Sequence, residues 1–442
     1  MELNDTLELI KNEVERFKSK EYIKINQGKR YYNHQNDIVE RSKKIYMKGR
    51  GLIEDPYTAN HRLPSDFTKL LVKQKVNYSV NENIMLETDS LDVIEENFPK
   101  WRKNLKRSAT HASYKIREFW LFYVDKNTGK LKYKVIPAEQ GIPIYDDYDR
   151  DKIEKFIRYY KSGDEKRAEL YDSQMVTYYK MDGGEWRLDR SKPPHAHMVM
   201  QDIVNGNVVG ETGTSWGRPP VAILNNNDEL KTDLDPIKAF IDIYDITNSD
   251  FANNIDDFQD VFWILKNYQG QDMEEFLYDL KQTKGIPVGE NGDASAETID
   301  IPVEARKEFL GQTKENIYRF GQGVDMDAIK GGNVTNVMIQ AMFSNLDLKA
   351  NDFEQEIQDF WEQVMWFLNK YLEISNKGVQ VESKLNFDRS MMMNLKELME
   401  TNSMASGIVS NETQLENNPY VQDIEEEKKR LENEKQSITL DE

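Results

Sequence analysis

The chain has no cysteine among its 442 residues. This absence excludes disulfides, thiolate catalysis and cysteine-ligated zinc, and it suits a reducing compartment. Long apolar runs are also missing. The longest, Phe119-Trp120-Leu121-Phe122-Tyr123-Val124, falls far short of the ~20 residues a membrane span needs. The first residues, Met1-Glu2-Leu3-Asn4-Asp5, are acidic and lack a signal-peptide core. The expectation is a soluble protein with no membrane partner, not secreted by that route. An excess of base is absent too: Lys+Arg total 59 against Asp+Glu 78, a net charge of -19. A simple electrostatic nucleic-acid binder should be basic, so that class is disfavoured for the isolated chain. What is present is enough to fold, because aromatic residues make up 11%, too many for a disordered chain.

Apolar spacing organises the chain. Leu3, Leu7, Ile10, Val14 and Phe17 predict an amphipathic helix over 1–20. A second helix is expected over 30–50, and a third after Pro64-Ser65-Asp66, carrying Phe67, Leu70, Leu71 and Val76. Between 116 and 224 the texture is that of short strands and turns, with turn signals at Asn127-Thr128-Gly129, Asp182-Gly183-Gly184 and Asn205-Gly206-Asn207. The fold class expected is α+β, mostly helical, with one sheet-bearing block.

The segment 234–260 is the most informative. At about 100° per residue, Ile237, Phe240, Ile241, Tyr244, Phe251, Ile255 and Phe258 share one arc. Asp235, Asp242, Asp245, Asp256 and Asp260 share the opposite arc, and Lys238 is the segment's one basic residue. Like charges at helical spacing destabilise an isolated helix, so this rod needs lateral partners. A small α/β insertion is expected over 261–303, closed by a more basic helix over 304–320 with Arg306, Lys307, Lys314 and Arg319. Two helices bracketing an insertion suggest an antiparallel pair capped at its far end. A Gly-rich loop follows, with Gly321, Gly323, Gly331 and Gly332, and then a long helix of about 334–374.

Catalytic motifs are scarce. Gly28-Lys29, Gly129-Lys130 and Gly332-Asn333 all fail the phosphate-loop pattern. Gly321-Gln322-Gly323 is half a dinucleotide fingerprint, but it follows a helix rather than a strand. His195 and His197 read as a polar strand edge, since no third ligand lies at suitable spacing. The acidic row could bind a divalent metal, which would make the chain a nuclease, but metal sites need carboxylates converging from different elements. The basic run Lys100-Trp101-Arg102-Lys103 with Lys106 and Arg107 reads as a solvated helix face rather than a nucleic-acid platform. No cofactor, metal site or catalytic residue is expected.

Several strings carry a resemblance. They are Tyr31-Tyr32-Asn33-His34-Gln35-Asn36-Asp37-Ile38, the stretch Asn60-His61-Arg62-Leu63-Pro64-Ser65-Asp66-Phe67 running on to Tyr78, Asn225-Asn226-Asn227-Asp228-Glu229-Leu230 running into Ile241-Asp242-Ile243-Tyr244-Asp245, and Ser344-Asn345-Leu346-Asp347-Leu348-Lys349-Ala350-Asn351. Together they resemble the portal proteins of tailed bacteriophages, in the family typified by the portal of a Bacillus siphophage. Asn33 or His34 stands where that family usually has Gly.

The resemblance implies a ring-forming portal fold, usually of twelve copies, at one vertex of the capsid. It implies a wing over 1–232 and 334–385, a two-helix stem over 233–260 and 304–320, a small α/β clip over 261–303, a tunnel loop over 321–333 and a crown over 386–442. Implied partners are double-stranded DNA in the channel, the large terminase ATPase, head-completion or adaptor proteins, and the major capsid and scaffolding proteins. Assembly would occur in the host cytoplasm. On this map Asp242, Asp245, Asp256 and Asp260 are expected to line the channel. Ile237, Phe240, Ile241, Tyr244, Phe251, Ile255 and Phe258 are expected to pack the stem. The tunnel loop would present Val324, Asp325, Met326, Asp327, Ala328, Ile329 and Lys330, hinged at Gly331, Gly332 and Asn333. The competing readings are a metal-dependent nuclease and another oligomeric virion adaptor.

Overall fold

The computed structural model describes residues 3–47, 51–55, 58–126, 128–149, 151–204, 207–257, 262–266, 293–297, 303–329, 335–376, 378–389, 395–416, 418, 421 and 424–438. The chain divides into two units, one of residues 1–29, 68–235 and 318–442, the other of 30–67 and 236–317.

In the first unit the apolar run at 119–124 becomes the central strand Arg117–Val124 of a three-stranded antiparallel sheet, flanked by Val221–Asn225 and Leu131–Ile136. Its side chains alternate between two covered faces, which is why nearly every position is buried. Phe119 and Leu121 join Ile136, Phe156, Tyr171 and Val176 in one cluster. Trp120 and Phe122 turn the other way, onto Phe360 and Phe367 of the helix Asn336–Ile374 at 5.0 and 4.5 Å between ring centroids. That helix has 39 residues, roughly 58 Å at 1.5 Å per residue. It starts where Thr335 accepts a hydrogen bond from the Met338 N–H, an N-cap that satisfies one orphan donor.

A second antiparallel sheet runs from Gly141 to Ala196, with four hairpin-linked neighbours and the short strand His195–Ala196 on Met175–Asp182. The helix Leu3–Ser19 lays Ile10, Val14 and Phe17 onto this sheet's core residues Ile142, Ile157 and Leu170. Glu21–Tyr32 follows as a second helix, and Gly28 is where it meets the Trp101–Lys115 helix. A Cβ at Gly28 would overlap the Tyr114 carbonyl oxygen, a backbone atom with nowhere to go. Gly28→Ala is therefore expected to cost about 3 kcal/mol. Gly311→Ala, in a helix with open space at the Cβ, should be neutral or stabilise by up to about 1 kcal/mol. Urea denaturation of the two variants checks this; equal midpoints would refute it.

The second unit holds the helices Lys238–Asp257 and Val303 to Ile317, the antiparallel pair Phe262–Lys266 with Asp293–Glu297, and the segment 30–67. The rest of the insertion lies outside the described residues. The expectation of one helix over 30–50 is corrected here. The helix ends at Tyr32, His34 takes the left-handed region (φ 62), and Asp37–Glu40 forms a short 3-10 turn. Lys44–Met47 then pairs with Gly51–Glu54 as a hairpin. The alternation of Ile45 and Met47 and of Leu52 and Glu54 fits a period of two, not 3.6. Residues 30–67 also cluster with 236–317 rather than with the remainder of 1–232.

Candidate functional site

The helix Lys238–Asp257 does not bury the face that composition suggests. Ile241 is buried, but so are Asp245, Ser249 and Asn253, four residues apart on one stripe. Each accepts a backbone N–H from the segment 61–65. His61 N donates to Asn253 Oδ1 at 2.5 Å, Leu63 N to Ser249 Oγ at 3.0 Å and Ser65 N to Asp245 Oδ1 at 2.9 Å. The arrangement follows from two repeats. Two residues of extended chain span about 6.6 Å, and four residues of helix rise about 6.0 Å, so alternate amides meet every fourth side chain. Ser249 completes its own bonding by donating to the Asp245 carbonyl at 2.6 Å. Asn36 Nδ2 bridges Asp245 Oδ2 and the Ser65 carbonyl at 2.6 and 3.0 Å. Burial raises the Asp245 pKa, offset in part by the bonds from Asn36 and Ser65.

The remaining acids of the row are also partnered. Asp242 accepts from Lys238 at 2.6 Å and from the Tyr31 hydroxyl. Lys238 also bonds Asp37 at 2.7 Å. Burial opposes the Lys238 charge, but Asp242 and Asp37 outweigh it and raise its pKa above the usual lysine range. Arg41 grips Asp250 with two bonds, at 2.9 and 3.2 Å. Asp256 is exposed and its carboxylate meets His61 Nε2. Asp260 and Phe258 lie outside the described residues. The acidic arc thus fastens the segment 31–65 to the helix at four carboxylates. A sequence signal for this existed: Asp245, Ser249 and Asn253 at i, i+4 and i+8 are short hydrogen-bonding side chains in a single stripe. Read as charge alone, the row suggested water or a channel; Asn36, Arg41, His61 and Ser65 went unassigned.

The apolar arc is divided. Ile237 and Ile241 are buried; Tyr244 packs edge-on against Phe67 at 5.1 Å; Phe251 carries the Arg306 guanidinium at 5.7 Å; Phe240 is half-buried. Ile255 is 51% exposed, as are Ile243 at 40% and, on the second helix, Phe309 at 43%. These exposed residues leave an apolar surface on both helices of the pair.

In the other unit, the first part of the Gly-rich loop is held fast. Lys349 donates to the Gly321 carbonyl at 2.9 Å. Gly323 passes so close to Leu71 that a Cβ would overlap it. Gln74 takes both backbone groups of Val324, accepting from its N–H at 2.9 Å and donating to its carbonyl at 2.8 Å, and Val324 is buried. Asp325 follows, then the 3-10 turn Met326–Ile329, which exposes Met326 and Asp327 and includes Ala328. Lys330, Gly331, Gly332 and Asn333 lie outside the described residues.

The histidine pair lies at a strand edge. His197 Nε2–H donates to the Met175 carbonyl at 3.2 Å and Nδ1 accepts from Trp216 N at 3.4 Å. Burial lowers its pKa to about 4, so it stays neutral in that tautomer. In the basic run, Trp101 is buried against Trp361, which removes it as a stacking surface for bases. Among the described residues no group of three or more His, Asp or Glu is placed to hold a metal ion, and no helix is long and apolar enough to cross a membrane.

An α+β chain with a helix pair around a small insertion and a long helix behind a Gly-rich loop is the arrangement of a phage portal, the connector of the virion. The chain belongs to the phage portal protein family, SPP1 Gp6-like, whose model matches residues 12–439. It is 32% identical over 429 residues to the portal protein of Bacillus phage SPP1, covering 92% of this chain and 82% of that one. It is 28% identical over 425 residues to the portal protein of Clostridium phage phiCD119, covering 91% and 90%. Among solved structures, a chain from the neck of an empty gene transfer agent particle matches with a TM-score of 0.44 and 11% identity, over 79% of this chain and 89% of that chain. The resemblance seen in the sequence strings is thereby borne out. The function is that of a portal, a structural component of the virion.

Proposed function

We propose that about a dozen copies of this chain close into a ring through which double-stranded DNA is packaged and ejected. The observation that carries this reading is the family match over 12–439, which leaves almost no part of the chain outside a portal. In this reading 1–232 with 334–385 is the wing, the helix pair is the stem, 261–303 the clip and 386–442 the crown. Residues 30–67 ride on the stem rather than with the wing. The clip meets the terminase ATPase during packaging and head-completion proteins afterwards. The wing sits against the capsid and its scaffolding proteins, and no membrane or cofactor takes part.

The exposed stem residues Ile243, Ile255 and Phe309 pack against neighbouring copies. Asp256, exposed at the end of its helix, lines the bore together with Asp260; Asp242 and Asp245 instead hold the segment 31–65 that stiffens the stem. Loop residues from Met326 onward approach DNA, and Gly331, Gly332 and Asn333 are the hinge. The physics favours an acidic bore. A duplex carries one charge per ~1.7 Å, so a basic wall would release counterions and grip it, whereas carboxylates keep a hydrated gap.

Electron microscopy of the purified chain tests the ring: particles with an axial hole are expected, and monomers or small dimers would overturn it. The bore is tested with Asp256→Lys combined with Asp260→Lys. Rings should still form, but packaging should slow at least ~10-fold and recover as salt is raised. Unchanged packaging by intact rings would remove these two residues from the bore.

A further inference from the structure

Arg218 is built into a surface groove and has no partner there. Its Nε and Nη2 are buried without an acceptor. These two nitrogens form one edge of the guanidinium, the geometry that binds a carboxylate through two parallel bonds. One ring face lies over Trp366, 3.7 Å from the ring centroid, with Phe367 at 4.7 Å. The backbone is fixed on both sides. Gly217 takes a φ of 81°, Pro219 and Pro220 follow, and the Pro220 carbonyl accepts from Phe122 N at 2.8 Å. A long flexible side chain is thus pre-aimed by aromatic stacking and a rigid turn. Burial lowers its pKa to about 10, consistent with an uncompensated charge.

An unpaired buried cation destabilises the chain that carries it. Native structures rarely leave such groups unsatisfied, and an exception calls for a missing partner. The groove beside Arg218 has a volume of about 780 Å³, enough for a side chain and its neighbours. Its rim carries Asp151, Glu154 and Asp172 alongside Lys152 and Lys155. A phosphate backbone laid across this rim would meet three carboxylates; a single inserted carboxylate need meet none. Trp366 is 37% exposed beside the groove, and a Trp–Arg pair with its own empty pocket has the composition of an interface hot spot.

We propose that this groove receives an Asp or Glu side chain of a second copy of the chain, bound through the free edge of Arg218. Charge complementarity supports that source, since each copy carries 78 carboxylates and a net charge of -19. The proposal rests on the ring reading only in taking a second copy as the donor.

The test uses the full chain, wild type against Arg218→Met and Arg218→Lys, with assembly followed by mass photometry and stability by urea denaturation. Arg218→Met should be as stable as wild type or more so as a monomer, because it removes an unpaired charge, yet assemble at least tenfold more weakly. Arg218→Lys keeps the charge but not the planar fork, and should also lose assembly. Equal assembly of wild type and both variants would overturn the proposal and leave the ring intact. A wild type that stays monomeric overturns the ring reading and this carboxylate donor with it. Loss of assembly with loss of monomer stability would make Arg218 a folding residue and overturn the proposal too. Titration of the monomer with inorganic phosphate and with succinate separates the ligands: tighter binding of phosphate than of succinate, lost in Arg218→Met, would assign the groove to a phosphate instead.

Discussion

Asp233→Ala should destabilise the protein by about 3–5 kcal/mol, the loss seen when a buried charge is stripped of its partner. Asp233 is buried between two lysines. Lys75 Nζ lies 2.9 Å away and Lys349 Nζ 3.5 Å. Lys75 is itself fully buried, bonded to Asn226 Oδ1 at 2.6 Å and seated over the Phe353 ring at 4.0 Å. Removing the carboxylate leaves two cations facing each other in a site without water. A fall of about 10 °C in the thermal midpoint is the corresponding signal. Lys75→Met should cost far less, about 1–2 kcal/mol, because Asp233 keeps Lys349 while one buried cation disappears. Equal midpoints for the two variants would show that the carboxylate is not the hub.

The same cluster has a defined pH signature. Burial lowers the Lys75 pKa to about 8, with Lys349 adding to the shift and Asp233 opposing it. The unfolded chain then binds more protons than the native one between pH 8 and about 10.5, so stability from this group rises with pH across that window. On the acid side, burial would raise the Asp233 pKa, but Lys349 and Lys75 win and lower it. Its contribution is present above the ordinary carboxylate range and is lost as pH falls through the lowered value. In Asp233→Ala the Lys75 pKa drops further, so the rise of stability with pH should begin nearer neutrality. Urea midpoints between pH 6 and 9 check this; a flat profile for the variant would contradict it.

Much of this fold is legible in the sequence because local periodicity and tertiary packing agree. The helix Leu3–Ser19 buries the Ile10, Val14 and Phe17 that its spacing selects. The strand Arg117–Val124 lies where the apolar run stands, and the helix pair brackets its insertion. The helix expected over 30–50 failed because that segment is shaped by what it docks on: its Asn36 and Arg41 answer to Asp245 and Asp250, some two hundred positions away. No local period encodes such a match. For the same reason the aspartates were visible as a row but their work was not. A carboxylate that takes backbone amides and one that faces water have the same letter and the same helical phase. Lys75, at the centre of the other buried cluster, reads in sequence as one more surface lysine within the strings that resemble the family.

Asp245 is where that ambiguity can be resolved by experiment. In Asp245→Ala the Ser65 N–H and Asn36 Nδ2 both lose an acceptor in a buried place, at about 1–3 kcal/mol each. The segment 61–65 should then detach along its length, since its amides are spaced to the same stripe of the helix. Hydrogen exchange at the His61, Leu63 and Ser65 amides should quicken about a hundredfold, which corresponds to about 3 kcal/mol of local opening. Asp245→Asn keeps an acceptor for Ser65 and removes a buried charge, while turning a donor toward Asn36; a net loss of about 1 kcal/mol is expected. It should also abolish a pH dependence. Because burial raises the Asp245 pKa, the native state holds the proton more tightly than the unfolded chain. Stability from this group therefore falls as pH rises through the raised pKa, and that slope vanishes in the asparagine variant. If the three amides exchange at wild-type rates in Asp245→Ala, the segment is held by Arg41 and His61 instead. Asp245 would then be a buried charge with no anchoring role, and the channel-lining assignment would have to be sought in the segment 31–65 itself.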